Sequence, residues 1–372
     1  NMGAGNTERA KKTFHYSLKM CTLFLLILGF IFSRRPVSQT MVSFFSTDAK
    51  VIPLAADYLS IIAFWCFTNA FYNVSQGLFQ GCGHTLITML VDASRIWIFR
   101  LLSLWICANV FHMGVAGAAI ATLASRIFCA VVVLWQLRMD RQPIVVRDYY
   151  QIRPDGKMIT RILSLGIPSG VENSMFQLGK LAIQSSVSTL GTVAIAAQAM
   201  TNILENLNGV AAIGVGIGLM TVVGQCLGAG RKDEAVYYIK KLSVLAEIVI
   251  IASCLLVFAL AIPITKLGGM EPESAQMCFH MVTWITIVKP IVWVMGFVPA
   301  YGLRAAGDVK FSMITSCITM WAFRFCLCVY LIRFQGFGPM AVWIGMFTDW
   351  TIRGIIFGIR FHSRKWLDHK VV

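Results

Sequence analysis

Charge is what this sequence has least of. Only 13% of its 372 residues are Asp, Glu, Lys or Arg, about half the share of an ordinary soluble domain. Hydrophobic residues make up 57%, and the mean hydropathy is +0.72. Such a composition excludes a soluble globule and reads as an integral membrane protein. Acidic residues are scarcest, 17 against 32 Lys and Arg, for a net charge of +15. In a soluble protein that balance would point to nucleic acid. Here the charges sit in loops between apolar runs, so nucleic acid is not an expected partner.

Other absences narrow the chemistry. The eleven cysteines contain no Cys-x-x-Cys and lie mostly in apolar stretches, which argues against a disulfide framework and a zinc site; Cys326-x-Cys328 reads as small packing residues within a helix. His84, His112 and His280 form no paired motif, so no metal or other cofactor is expected. Glycine-rich runs lack a following Lys-Ser or Lys-Thr, which removes a pump that hydrolyses its own ATP. With no Asp-x-Asp, Asp-x-x-Asp or Gly-x-Ser-x-Gly, a membrane-embedded transferase is the weaker alternative, and no enzyme is expected.

Present instead are ten apolar runs, at 17–33, 56–80, 86–110, 114–137, 161–187, 194–222, 238–264, 275–300, 309–333 and 339–360. They are too long and numerous for a signal peptide, and a helix needs about 20 residues to cross the hydrocarbon core. Numbering loops alternately places nineteen Lys and Arg on one side, and Arg34, Arg35, Lys50, Lys266 and Arg333 on the other. Both termini are therefore expected in the cytoplasm of a cell (inner or plasma) membrane protein.

The chain also repeats. Gly224-Gln225-Cys226-Leu227-Gly228-Ala229-Gly230 and its charged sequel echo Asn1-Met2-Gly3-Ala4-Gly5, 225 residues earlier. At a spacing of 224, Gly83 falls on Gly307 and Trp97-Ile98-Phe99-Arg100 on Trp321-Ala322-Phe323-Arg324. A fixed period decides architecture before local signals do. The expected fold is all-α and polytopic: an N-terminal lobe of four helices (1–137), a cytoplasmic linker (138–160), and a C-terminal lobe of six (161–372). An even helix number makes the two parallel repeats, predicting two bundles across a central cleft. The first copy begins where the second is already about 75 residues along, so ten of twelve helices are expected here, from a full chain of about 450 residues.

Gly228 and Gly230 follow an apolar run, where glycine takes the left-handed cap conformation, and Gly3 and Gly5 are their repeat counterparts in the same structural motif; Asp233 and Glu234 then suit a helix N-terminus. After Pro168, Ser169, Asn173, Gln177, Lys180, Gln184 and Ser188 step by three and four along one helical face, with Glu172 at its border. A lysine at mid-bilayer costs about 2.5–3.5 kcal/mol on insertion scales, so this stripe faces either an aqueous cavity or an interhelical hydrogen-bond seam. Gln198, Asn202 and Glu205 repeat the pattern on the next helix, where Glu205 either captures a cation or is solvated at the helix end. Asp92 and Arg95, three apart, can pair. Arg100 and Arg324 share a repeat position, which favours a structural role such as binding carbonyls of a neighbouring broken helix. Asp349 and Arg353, four apart, read as a local ion pair, and Lys289-Pro290 as a kink.

The motif at 224–230, the Gly-Ile-Pro-Ser-Gly at 166–170 and the turn Gly302-Leu303-Arg304-Ala305-Ala306-Gly307-Asp308 together resemble the multidrug and toxic compound extrusion (MATE) family. The first-copy turn departs from the pattern, with Gln80 in place of Arg304 and His84 in place of Asp308. The resemblance implies twelve helices in two lobes, and export of cationic amphipathic small molecules in exchange for Na⁺ or H⁺ by alternating access. It implies the absence here of the first two family helices, where a coupling aspartate often lies; a monomer in the lipid bilayer is expected. Asp92, Glu172, Asn173, Gln177, Lys180, Gln184 and Glu205 are the expected substrate and ion pathway. A lipid-linked oligosaccharide flippase of the same superfamily is the alternative, favoured by Lys180, Arg95 and Arg100.

Overall fold

Backbone N–H and C=O groups have no water to bond in hydrocarbon, so an apolar chain satisfies them within helices. The computed structural model describes residues 1–44, 50–139, 144–145 and 155–368, and it contains helices and no strand among them. In order these are α1 (Thr7–Phe32), α2 (Arg35–Ser43), α3 (Val51–Phe64), α4 (Thr68–Gly81), α5 (Thr85–Ala93), α6 (Leu101–Asn109), α7 (Val115–Leu137), α8 (Gly156–Val187), α9 (Thr192–Gly228), α10 (Lys232–Leu267), α11 (Pro272–Ala305), α12 (Val309–Ile318), α13 (Cys326–Phe334) and α14 (Met340–His362). Ser94–Arg100 and Thr319–Phe325 are π-helical and join α5 to α6 and α12 to α13.

The chain divides into two units, Asn1–Ile162 and Leu163–Val372. The expected linker, 138–160, falls largely on residues 140–143 and 146–154, which lie outside the described residues. Phe14, Leu18, Tyr72, Phe79, Val91, Cys129 and Val133 form the core of the first unit. The core of the second is larger and centres on Leu204, Ile250, Met281, Trp343 and Trp350.

Among the described residues seven helices are long and apolar enough to span a membrane: α1, α7, α9, α10, α11, α14 and the continuous Val309–Phe334. An eighth span is counted if α3 and α4, bent by 55° at their junction, are taken together. By length and composition the described residues thus supply seven, or up to eight, of the ten expected spans. Both of the others are helical, but Thr85–Asn109 carries Asp92, Arg95 and Arg100, and α8 carries the polar stripe and four charges. The bend at 65–67 has no polar or proline signal; there the Cys66 thiol donates to the carbonyl of Leu25 at 3.0 Å.

Helix ends use glycine as expected, with one correction. Gly5 and Gly230 have φ of 69° and 76°, and their N–H groups bond the carbonyls of Met2 and Leu227 at 3.0 and 3.1 Å. Gly228 instead ends α9, and neither it nor Gly3 is left-handed, because one left-handed residue suffices to reverse the chain. Gly83 and Gly307 form a second matching pair, with φ of 83° and 88°. Each donates three residues back, to Gln80 and Arg304, at 3.0 Å. Asp233 and Glu234 occupy the first turn of α10.

Small residues let membrane helices approach closely. A Cβ at Gly345 on α14 would stand 2.7 Å from the carbonyl oxygen of Arg324. Because that neighbour is backbone, Gly345→Ala is expected to cost about 1–3 kcal/mol, read as a lower melting temperature of the detergent-purified protein. Gly358→Ala, with open space around it, is the control and leaves the melting temperature unchanged.

Candidate functional site

α8 carries three faces. Pro168, Glu172, Gly179, Ile183 and Val187 are buried in the second unit. One step round the helix, Asn173, Gln177, Lys180 and Gln184 are exposed; one step the other way, Ile167, Val171, Leu178 and Leu181 are exposed and apolar. The polar stripe is therefore an open face: among the described residues Asn173 Nδ2 bonds the carbonyl of Ser169 on its own helix, at 2.9 Å, and the Lys180 ammonium lies 5.0 Å from the Phe176 ring centroid.

Beside it, α9 and α11 bury an ion network. The Lys289 side chain is fully buried and that of Glu205 is 16% exposed. Lys289 Nζ donates to Glu205 Oε1 at 2.6 Å, to the Glu205 backbone carbonyl at 3.1 Å and to Asn208 Oδ1. All three ammonium hydrogens thus have oxygen partners, which a buried ammonium requires. The rings of Trp293 and Trp350 lie 5.5 and 5.9 Å from Nζ, within the range of cation–π attraction. Lys180 and Arg324 both interact electrostatically with Glu205. Solvation at a helix end does not describe Glu205. Lys289 stands out in sequence only as a prelude to proline; the usable signal is Asn208, which continues the step of three from Glu205 and puts two side-chain oxygens on one face.

A second buried cluster joins α14 to the π-helical segment. Arg353 Nη2 bonds Asp349 Oδ1 at 3.0 Å, Asp349 Oδ2 at 3.3 Å and Thr319 Oγ1 at 3.2 Å. Arg324 is buried under the same carboxylate's attraction, lies 5.5 Å from the Phe176 ring, and its Nε has no hydrogen-bond partner among the described residues. Its repeat counterpart Arg100 is exposed, so the two arginines sit in different surroundings. Glu172, buried on α8, pairs with Arg304 Nη2, whose Nε bonds Ser312 Oγ at 3.1 Å. Gln198 Oε1 accepts from Trp343 Nε1 at 3.0 Å, and Gln198 Nε2 reaches Asn202 Oδ1 at 3.4 Å.

In the first unit, Asp92 pairs with Arg95 Nη2 at 2.9 Å. It also accepts from the Tyr72 hydroxyl and, at 3.5 Å, from Gln76 Nε2. The carboxylate is 29% exposed. Among the described residues no cluster of three or more His, Cys, Asp and Glu is arranged to hold a metal.

The MatE family profile matches residues 1–106 and 168–330. The chain belongs to the MatE family. Asp92, Glu172, Lys180, Glu205, Lys289 and Arg324 all fall within the matched stretches, whereas Asp349 and Arg353 lie beyond them. As a MatE protein the chain is a multi-pass membrane transporter. Similar curated proteins include the probable multidrug resistance protein NorM of Thermotoga maritima, 24% identical over 382 residues, with 100% of this chain and 80% of the relative covered. The probable multidrug resistance protein YpnP of Bacillus subtilis is 26% identical over 322 residues, covering 86% of this chain and 71% of the relative. The fold matches a solved multidrug resistance MATE family transporter in an outward-facing conformation, with a TM-score of 0.86 at 18% identity over 97% of this chain and 80% of the other. It also matches a MOP superfamily transporter from Pyrococcus furiosus described by a binding pocket of reverse polarity, with a TM-score of 0.84 at 19% identity and the same coverage.

Proposed function

We propose that this MatE protein is a secondary active antiporter that exports cationic, amphipathic compounds in exchange for Na⁺ or H⁺ by alternating access. The carrying observation is the three-faced α8: its polar stripe is open next to an apolar stripe suited to lipid, and lysine against lipid is costly. An aqueous substrate path along Asn173, Gln177, Lys180 and Gln184 accounts for all three faces. Carboxylates at Asp92, Glu172 and Glu205, each held by a basic partner, supply charge that a cation or proton can neutralise. A ligand shifts a conformational equilibrium only by its differential affinity for the two states, so exchange follows when ion and substrate stabilise opposite states. Relatives named as probable multidrug resistance proteins support the substrate class.

The same reading takes the two copies as parallel repeats with both termini cytoplasmic. It is supported by the two pairs of matching glycine turns, and by π-helical segments that cover the shared Trp-x-Phe-Arg in both copies. The expected test is efflux of a cationic dye from cells with matched expression: Lys180→Ala changes the efflux rate at least several-fold while membrane insertion is retained. Unchanged efflux removes α8 from the path.

One observation favours a second reading, flipping of a lipid-linked oligosaccharide. Lys180, Lys289, Arg324 and Arg353 are set against two carboxylates, Glu205 and Asp349, an excess of positive charge suited to an anionic pyrophosphate. Under that reading Lys180→Ala abolishes flipping of a fluorescent lipid pyrophosphate in proteoliposomes and leaves dye transport absent throughout.

A further inference from the structure

The surroundings of Lys289 are those of a bound cation. Hard cations are held by carboxylate and carbonyl oxygens, and the ammonium meets that set: a carboxylate oxygen and a backbone carbonyl from Glu205, and an amide oxygen from Asn208. Aromatic faces of Trp293 and Trp350 complete the shell. Gly209 leaves the room, since a Cβ there would lie 3.3 Å from Nζ. Glu205 is the most exposed of the groups around Lys289, at 16%, and Lys289 itself has no solvent contact.

We infer that Glu205 and Asn208 form a monovalent-cation site that the chain fills with its own tethered ammonium, so that Na⁺ is not the ion exchanged at Glu205. A tethered cation cannot leave, but it balances the carboxylate in the absence of any dissolved ion. Withdrawing it leaves one carboxylate oxygen and two neutral carbonyl-type oxygens facing the vacated space, which is a monovalent-cation site in chemistry and charge. The inference rests on the antiport reading only for its consequence in transport; ion binding is measurable whether or not the chain moves a substrate.

The test uses the whole chain in lipid nanodiscs, comparing NaCl with N-methylglucamine chloride at constant ionic strength. Melting temperature and ²²Na⁺ binding are the readouts, and Lys289→Met and Lys289→Gln are the variants. Either variant is expected to gain a stoichiometric Na⁺ site, with a melting temperature raised by roughly 3–5 °C at about 100-fold excess over Kd. Adding Glu205→Gln abolishes that gain. Wild type shows no Na⁺ binding that depends on Glu205. Two results overturn the inference: Lys289 variants that bind no more Na⁺ than their Glu205→Gln double mutants, or wild-type Na⁺ binding lost in Glu205→Gln alone. The second arm needs no Lys289 variant to fold. Absence of dye transport in the same nanodisc preparations after reconstitution into vesicles would count against the antiport reading and leave the binding result intact.

Discussion

Glu205→Leu lowers the stability of the second unit by about 3–5 kcal/mol, because it strands a fully buried ammonium. Lys289 retains only Asn208 Oδ1 and a backbone carbonyl, neither of which carries charge to balance it. Replacing both partners, Glu205→Leu with Lys289→Met, recovers most of the loss, since an apolar pair of similar volume carries no desolvation penalty. Equilibrium unfolding of the single and double variants gives the coupling directly as a double-mutant cycle. Single losses that simply add in the double variant would mean that the two charges do not interact.

Asp349→Ala has an effect of comparable size, about 3–5 kcal/mol, and one with a characteristic asymmetry. Asp349 is fully buried, bonds Arg353 through both carboxylate oxygens, and attracts buried Arg324 as well. Removing it leaves two buried guanidiniums with no carboxylate between them. Arg353→Met leaves Asp349 still balanced by Arg324, so its cost is smaller. Melting temperatures of the two variants in one detergent rank them: Asp349→Ala falls further. The reverse order would show that Arg324 draws nothing from Asp349.

These pairs also mark what a linear reading reaches. Helix periodicity carries the stripe from Ser169 to Ser188, and spacing of three or four carries Asp92 with Arg95 and Asp349 with Arg353, because such pairs lie on one turn of one helix. Glycine punctuation carries the turns at Gly5 and Gly230. Lys289 meets Glu205 across 84 residues and Arg304 meets Glu172 across 132; no periodicity links them, and only packing of separate helices does. Hydropathy has the opposite weakness. It joins α3 and α4 across a 55° bend, since Trp65, Cys66 and Phe67 are as apolar as the helices they separate. It also averages over α8, and so sets that helix apart from the other spans without showing that its polarity is confined to one side. The π-helical segments leave no local mark either, although both cover Trp-x-Phe-Arg.

Gradient-driven transport in proteoliposomes tests the central claim most directly. The chain is reconstituted with a cationic amphipathic dye, and an H⁺ or a Na⁺ gradient is imposed with the membrane potential clamped. The account predicts dye accumulation against its own gradient, driven by the counter-ion, abolished by Glu205→Gln in folded protein, and strongly changed by Lys180→Ala. Dye movement that only runs downhill, or no dye movement alongside flipping of a lipid pyrophosphate, would contradict it.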